Sequence, residues 1–241
     1  MLKKIILAAL LCAPLWAQAN TEVKLDHVQI NVEDKLSLQR GARTFVNYCV
    51  GCHSASYMRY SRLEDLGLTE KQIVGNLMVT GEKPVETMTA ALRPVDAKEW
   101  FGVAPPDLTV ISRSRGADWL YTYLRSFYRD PTRPTGWNNS TFPSVAMPHA
   151  LWDLQGEQVL KVEEGKSHGG HAEQHLVMGK PGKLNPAEYD TLVKDLVNYM
   201  VYMGEPAQTK RKLTGIYVLF FLFGLTILAY FLKKEFWKDI H

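Results

Sequence analysis

Twenty uncharged residues, Leu213 to Leu232, lie near the C-terminal end of this 241-residue chain. At about 1.5 Å of rise per residue they make roughly 30 Å of helix, the thickness of a bilayer's hydrocarbon core. In that solvent every backbone N–H and C=O must be satisfied within the segment, so the run is expected to fold as one membrane-crossing helix. A buried helix in a soluble core is the alternative, but Tyr217, Tyr230, Phe236 and Trp237, towards the ends of the run, suit two lipid–water boundaries. Lys210-Arg211-Lys212 precede it and Lys233, Lys234 and Lys238 follow, so flanking charge hardly discriminates orientation.

The opposite end supplies the orientation. Lys3 and Lys4 are followed by an apolar run from Ile5 to Trp16 and by Ala17-Gln18-Ala19, the small-x-small pattern at which exported chains are cleaved. The run is too short to cross a bilayer, so residues 1–19, with Cys12 among them, read as a signal peptide removed on export. The expected organisation is an exported domain over residues 20–209, a membrane helix at 213–232 and a cytoplasmic tail at 233–241. The length between signal and anchor suits one globular domain. A formal net charge of +3, with no basic stripe interleaved with aromatics, sets nucleic acid aside as a partner.

Removing the signal leaves Cys49 and Cys52 in an oxidising setting. They belong to Cys49-Val50-Gly51-Cys52-His53, the spacing for covalent attachment of haem c. Two thiols make thioether bonds to the porphyrin vinyl groups, and the adjacent imidazole gives iron an axial nitrogen. A dithiol redox pair would open a helix after a strand, whereas here a helical pattern leads into the motif. A zinc site would need a second ligand cluster, and no further cysteine pair exists. One haem c, held by Cys49 and Cys52 and ligated by His53, is the expected cofactor.

Helical periodicity dominates the exported part. Leu38, Ala42, Phe45 and Cys49 share the face of a helix that delivers the motif. Thr69 and Gln72 form a capping-box pattern ahead of Ile73, Val74, Leu77 and Met78, predicting a helix that ends at Gly81. A third helix is expected from Asp118 to about Tyr128, with Trp119, Leu120, Tyr123, Leu124 and Phe127 on one side. Asn185-Pro186 opens a fourth that groups Tyr189, Leu192, Val193, Leu196, Val197 and Met200 and stops at Gly204 and Pro206. Strand candidates are confined to Val23–Val32 and Val159–Val162. The stretch from Glu163 to His175, rich in Gly, His and charge, reads as a surface loop. His168, His171 and His175 within it have metal-like spacing only on a helix, and Gly169-Gly170 argues against one. The segment from Arg133 to Pro148 is long for a compact domain unless something large fills the interior.

Seven methionines and five histidines follow His53 as candidates for the opposite face of the iron. Met58, Met78, Met200 and Met203 fall on or beside predicted helices, where a thioether more often fills core, and Met88 and Met178 lie in loops without other support. Met147 sits in Phe142-Pro143-Ser144-Val145-Ala146-Met147-Pro148, where two prolines stiffen an extended loop, and is the favoured ligand. His149 is its nearest competitor. Arg113 and Arg115 follow Pro105-Pro106-Asp107-Leu108, and either could pair with a haem propionate; spacing alone does not choose between this and an ordinary surface arginine.

The order of these motifs resembles the cytochrome c1 family, the haem subunits of ubiquinol-cytochrome c reductase, in its bacterial form. The residues carrying it span nearly the whole mature chain. They are Arg40-Gly41 ahead of Cys49 to His53, Ser54-Ala55, Met58-Arg59-Tyr60, Pro105 to Leu108, Tyr128-Arg129-Asp130-Pro131, Gly136-Trp137-Asn138-Asn139, Phe142-Pro143, Met147-Pro148 and the single C-terminal anchor. The resemblance implies a mainly α fold: a class I cytochrome c-like domain enlarged by long loops, plus one C-terminal transmembrane helix. The helix before Cys49 would cross the helix from Pro186 to Met203. Met147 would be the sixth iron ligand, and Arg115 rather than Arg113 would meet a propionate.

The same resemblance implies an electron-transfer subunit, not an enzyme by itself, of a complex that is a ubiquinol:cytochrome c oxidoreductase. It would sit in the bacterial inner membrane with its haem domain in the periplasm. There it would stand beside a cytochrome b subunit, accept electrons from a Rieske iron-sulfur protein and pass them to a periplasmic or tethered c-type cytochrome. A membrane-tethered cytochrome c donating to a terminal oxidase is the alternative. Relative to mitochondrial members the segment between Arg115 and Trp119 is short, and Trp119 stands where tyrosine is expected; both bear on the propionate contacts.

Overall fold

The computed structural model describes residues 24–163 and 173–239, so the expected signal peptide and the positions of His168 and His171 lie outside the described residues. Helix α1 (Lys35–Tyr48) delivers the chain to the cysteine motif. Strand β1 (Ala55–Arg59), a 3-10 turn (Tyr60–Leu66), α2 (Glu70–Asn76), β2 (Thr87–Met88) and α3 (Pro94–Phe101) follow. Next come α4 (Ile111–Arg115), α5 (Ala117–Arg125), β3 (Phe127–Arg129) and β4 (Trp137–Asn139). The chain then forms α6 (Trp152–Gln155), β5 (Gly156–Glu163), β6 (Glu173–Pro181), α7 (Pro186–Gly204) and α8 (Gln208–Phe236). Among the described residues strands pair only as antiparallel two-stranded ribbons, β1 with β2, β3 with β4 and β5 with β6. The architecture is mainly α, as expected.

Helices α1 and α7 pack against each other at the centre of the core. Asp34 caps α1 by accepting the Ser37 N–H at 3.0 Å, and the predicted stripe of Leu38, Ala42 and Phe45 is fully enclosed. Asn185 and Glu188 form a reciprocal capping box at the start of α7, with Pro186 in its first turn. That helix buries Tyr189, Val193, Leu196, Val197 and Met200. Gly41 sets the closeness of the crossing: a Cβ there would stand 2.1 Å from the Asp195 carbonyl oxygen and 2.7 Å from Tyr199 Cβ.

A polar lock lies beside that contact. The buried Asp195 carboxylate accepts from the Ser37 hydroxyl at 2.6 Å and from two nitrogens of Arg40 at 2.5 and 3.1 Å. Asn198 donates to Ser37 Oγ and to Asn31 O. With its charge paired and its oxygens hydrogen-bonded, the carboxylate can stay inside the helix interface.

Four local expectations change. Helix α2 begins with the predicted Thr69–Gln72 capping box but ends at Asn76, short of Gly81, and Val74 faces solvent. Helix α5 stops at Arg125, because the chain from Phe127 pairs with β4 in register Phe127↔Asn139 and Arg129↔Trp137. The stretch read as a loop from Glu163 contributes Glu173 to His175 to strand β6, which pairs across to β5. Of the two strand candidates, 159–162 lies within β5, whereas residues 24–31 form no regular element and Val32 lies in a turn. Helix α8 contains the whole predicted 213–232 span, and none of its side chains is buried by the rest of the chain.

Candidate functional site

The last turn of α1 hands over directly to the motif. Cys49 N–H bonds Phe45 O at 2.8 Å, and the N–H groups of Cys52 and His53 both turn back to Cys49 O, at 3.1 and 2.8 Å. The thiols are free, Cys49 partly buried and Cys52 exposed. Burial, with a smaller contribution from Cys52, pushes the Cys49 thiol up to about 12. A disulfide-exchange centre works through a thiolate near neutral pH, so this environment counts against a dithiol redox pair.

His53 is buried, and its Nδ1 lies 2.8 Å from Pro106 O. A carbonyl only accepts, so Nδ1 carries the proton and Nε2 keeps its lone pair. Burial lowers the pKa of the ring against smaller opposing effects from Pro106 and Asp107, favouring the neutral form. A neutral imidazole tied to a carbonyl through one nitrogen is the state in which histidine ligates a metal through the other.

Pro106 is itself held in place. Asp107 accepts from Ser56 N–H at 2.8 Å, from Thr109 N–H at 2.8 Å and from the Thr109 hydroxyl at 2.6 Å, while Leu108 N–H bonds Ser54 O. Burial alone would raise the Asp107 carboxyl, but the bonds from Thr109 and Ser56 outweigh it and hold it below its ordinary value of 3.8. A depressed carboxyl contributes stability that is present above its unfolded pKa and lost as pH falls through the folded one. Asp107→Asn is therefore expected to cost about 1 kcal/mol at neutral pH, a hydrogen-bond-sized loss limited by the exposure of the carboxylate. It should cost almost nothing at an acid pH where the carboxyl is protonated in both the folded and the unfolded state. Denaturant unfolding at the two pH values checks this, and an equal loss at both would remove the clasp from the account.

The 133–148 segment and α5 build a second wall. Asn139, fully buried, donates to Tyr123 O and accepts from the N–H groups of Thr141 and Phe142. Asn138 accepts from Ser144 N–H at 2.9 Å and donates to Asp130. Ser144 has φ of 64°, a left-handed conformation uncommon outside glycine, and Arg133 donates to its carbonyl at 2.8 Å. These bonds fix the loop that carries Met147. Met147 packs against the same apolar cluster as Cys49, a cluster that includes Val50, Tyr123 and Val145. The Tyr123 hydroxyl donates to Met147 Sδ at 3.3 Å, and burial raises the pKa of that phenol.

The two arginines separate. Arg113 pairs with Glu205 at 2.9 Å, and Glu205 also accepts from Arg211, so Arg113 serves the junction between α7 and α8. Arg115 instead places its guanidinium over Trp119, 5.0 Å from the ring centroid, and 5.9 Å from that of Phe142. Trp119 stacks on Tyr123 at 4.9 Å and 10°. Arg115 and Met147 are thus joined through Trp119 and Tyr123. His149, the competitor ligand, is stacked on Phe127 at 4.8 Å and meets the edge of Trp137. Burial pushes its ring down to about 4, and Gln155 on α6 is its polar neighbour.

The donor set suits a haem c: two free thiols at the required spacing, an imidazole with Nε2 bare, and a thioether on a separate, rigid loop bordering the same apolar core. Among the described residues no group of three or more His, Cys, Asp or Glu side chains could hold a metal ion, and His175 pairs in register with Lys161 on the β5–β6 ribbon. Sequence reasoning missed the roles of Tyr123 and Asn139. A tyrosine on a buried helical stripe resembles core, whereas the paired asparagines before two prolines were the signal available for a side-chain-braced loop.

The model of the Cytochrome C1 family matches residues 27–166 and 183–240, leaving out the whole of strand β6. The ammonia monooxygenase gamma subunit of Nitrosomonas europaea is 53% identical over 99% of this chain and 98% of its own length. The cytochrome c1 of Allochromatium vinosum is 50% identical over the whole of both chains. That of Rhodospirillum rubrum is 27% identical over 86% of this chain and 83% of its own.

Proposed function

The chain belongs to the cytochrome c1 family, whose members carry covalently bound haem c as the electron-carrying subunit of the cytochrome bc1 complex, and from that premise we propose how its own residues do this work. Cys49 and Cys52 would hold the porphyrin through thioether bonds, and His53 through Nε2 and Met147 through Sδ would ligate its iron. Arg115 faces a propionate. When bound, haem c supplies a one-electron couple, and histidine with methionine sets its potential high. Pro106 O fixes the tautomer and direction of His53 and the asparagine-braced loop fixes Met147, whose thioether would keep oxygen and peroxide off the iron. The observation that carries this reading is the bond from His53 Nδ1 to Pro106 O, which leaves Nε2 free beside two unpaired thiols.

In this reading residues 1–19 are removed on export, residues 20–209 lie in the periplasm and 233–241 in the cytoplasm of a bacterium. Helix α8 is a single-pass anchor that keeps the domain at high effective concentration beside a cytochrome b subunit. The chain accepts one electron from a Rieske iron-sulfur protein and passes it to a periplasmic or tethered c-type cytochrome, so that the assembled complex oxidises ubiquinol and reduces cytochrome c. The name of the Nitrosomonas relative offers a reading of another class, a component of an oxygenase. Mild detergent extraction and copurification separate them. Recovery with a cytochrome b and a Rieske protein supports the respiratory assembly. Recovery with an ammonia-oxidising or terminal-oxidase complex, or carbon monoxide binding by the native reduced form, would overturn it.

A further inference from the structure

We propose that Tyr123 is a positioning residue for Met147: its hydroxyl, on a ring clamped by Trp119 and Phe127, donates to the thioether and sets both the direction and the donor strength of the sulfur towards iron. This rests on the assignment of Met147 as the sixth ligand.

A buried phenol must find a partner, and phenylalanine would fill the same volume without that demand. Here Met147 Sδ, at 3.3 Å, is the partner that the Tyr123 hydroxyl meets among the described residues. The ring has little freedom to turn away. Trp119 stacks on it at 4.9 Å and 10°, Phe127 meets it edge-on at 5.1 Å and 68°, and the Arg115 guanidinium covers the outer face of the stack. The loop end is equally fixed, through Asn138, Asn139 and the left-handed Ser144. Both atoms of the contact therefore sit on braced supports, unlike two side chains that meet by chance on mobile ones.

A thioether sulfur has two lone pairs. If one accepts from Tyr123, the other is left to point away from the phenol, which removes a rotational choice that an unbranched methionine otherwise keeps. The hydrogen bond also draws electron density from sulfur. Ferric iron depends on that density more than ferrous iron does, so the bond favours the reduced form and raises the potential. The plainer reading makes Tyr123 a core side chain whose hydroxyl bonds whatever lies near. The two readings part on what removal of the oxygen does to the couple.

The test is Tyr123→Phe in the full-length, membrane-anchored, haem-loaded protein, followed by potentiometric titration of the haem absorbance and by the thioether-to-iron charge-transfer band. The band is expected to persist at a shifted position. At a fixed ambient potential the oxidised-to-reduced ratio is expected to rise about three- to tenfold, tenfold being about 59 mV for a one-electron couple. On a Met147→Leu background the same substitution should leave the ratio unchanged, since no sulfur remains for the hydroxyl to act on. An unchanged ratio in the single variant, or an equal shift in both backgrounds, overturns the role of Tyr123 while leaving the ligand assignment standing. Survival of the band in Met147→Leu alone overturns the assignment itself. If Tyr123→Phe does not accumulate with haem, Trp119→Leu keeps the hydroxyl but loosens its ring; a smaller shift in the same direction is expected, and no shift would overturn the proposal.

Discussion

Met147→Leu is expected to abolish the thioether-to-iron charge-transfer band of the oxidised protein and to lower the reduction potential by on the order of 0.2 V, a fraction of the ~0.8 V range that axial ligation spans. Leucine matches methionine in volume and apolarity, so the core that Met147 borders with Val145 and Tyr123 should survive. What disappears is a soft sulfur donor that favours ferrous iron, and with it the closure of the sixth position. The reduced variant should therefore bind carbon monoxide, which the parent should not. His149 offers the informative contrast. Its ring lies flat on Phe127 and edge-on to Trp137, and burial holds it neutral, so it is a competent ligand by charge. Were it the true ligand, the parent would show no thioether-to-iron band, His149→Leu would lose a nitrogen ligand and open the iron, and Met147→Leu would leave the potential where it was. Redox-resolved absorbance spectra of the two variants decide between them.

The long capped elements were legible from their residues because several signals coincide in each. In α1 the four-three-four spacing of Leu38, Ala42, Phe45 and Cys49 runs into the haem motif, and in α7 a capping box, a first-turn proline and an apolar stripe agree. Errors arose where a tertiary partner decides the outcome. Phe127 continues the apolar stripe of α5, yet its backbone pairs with Asn139, a contact that periodicity cannot see. Strand β6 was hidden because His175, Val177 and Met178 are exposed and show no buried alternation. At the site, candidates marked by spacing were readable as candidates: the cysteine pair, the adjacent histidine and a methionine between prolines. Chemistry that depends on one lone pair was not. Nothing in the sequence says that Pro106 supplies a carbonyl to His53, that Tyr123 turns its hydroxyl to Met147, or that Glu205 claims Arg113 and leaves Arg115 over Trp119.

The second large effect lies in the scaffold. Gly41→Ala adds one carbon, and that carbon would stand 2.1 Å from Asp195 O, 2.7 Å from Tyr199 Cβ and 2.8 Å from the Asp195 carbonyl carbon. Two of those three atoms are backbone of α7, so no side-chain rotation relieves the overlap and the helices must separate. Separation strains the bonds from Ser37 and Arg40 to Asp195 and loosens Phe45 from Tyr199, whose rings now lie 5.6 Å apart. Overpacking of a rigid contact costs about 1–3 kcal/mol in ordinary cores. Because strain on a buried, paired carboxylate adds to it here, a loss of about 3 kcal/mol or more is expected. Gly75 in α2 is the matched control: a Cβ there meets nothing within 4 Å, so Gly75→Ala should stabilise by about 0.5–1 kcal/mol through helix propensity alone. Denaturant unfolding of both variants with haem attached separates steric from backbone-entropy effects. Since α1 also presents Cys49, a parted crossing should displace the haem-bearing turn, and Gly41→Ala is expected to broaden the charge-transfer band as well as to unfold earlier. A variant as stable as the parent would mean that the two helices do not meet at this glycine.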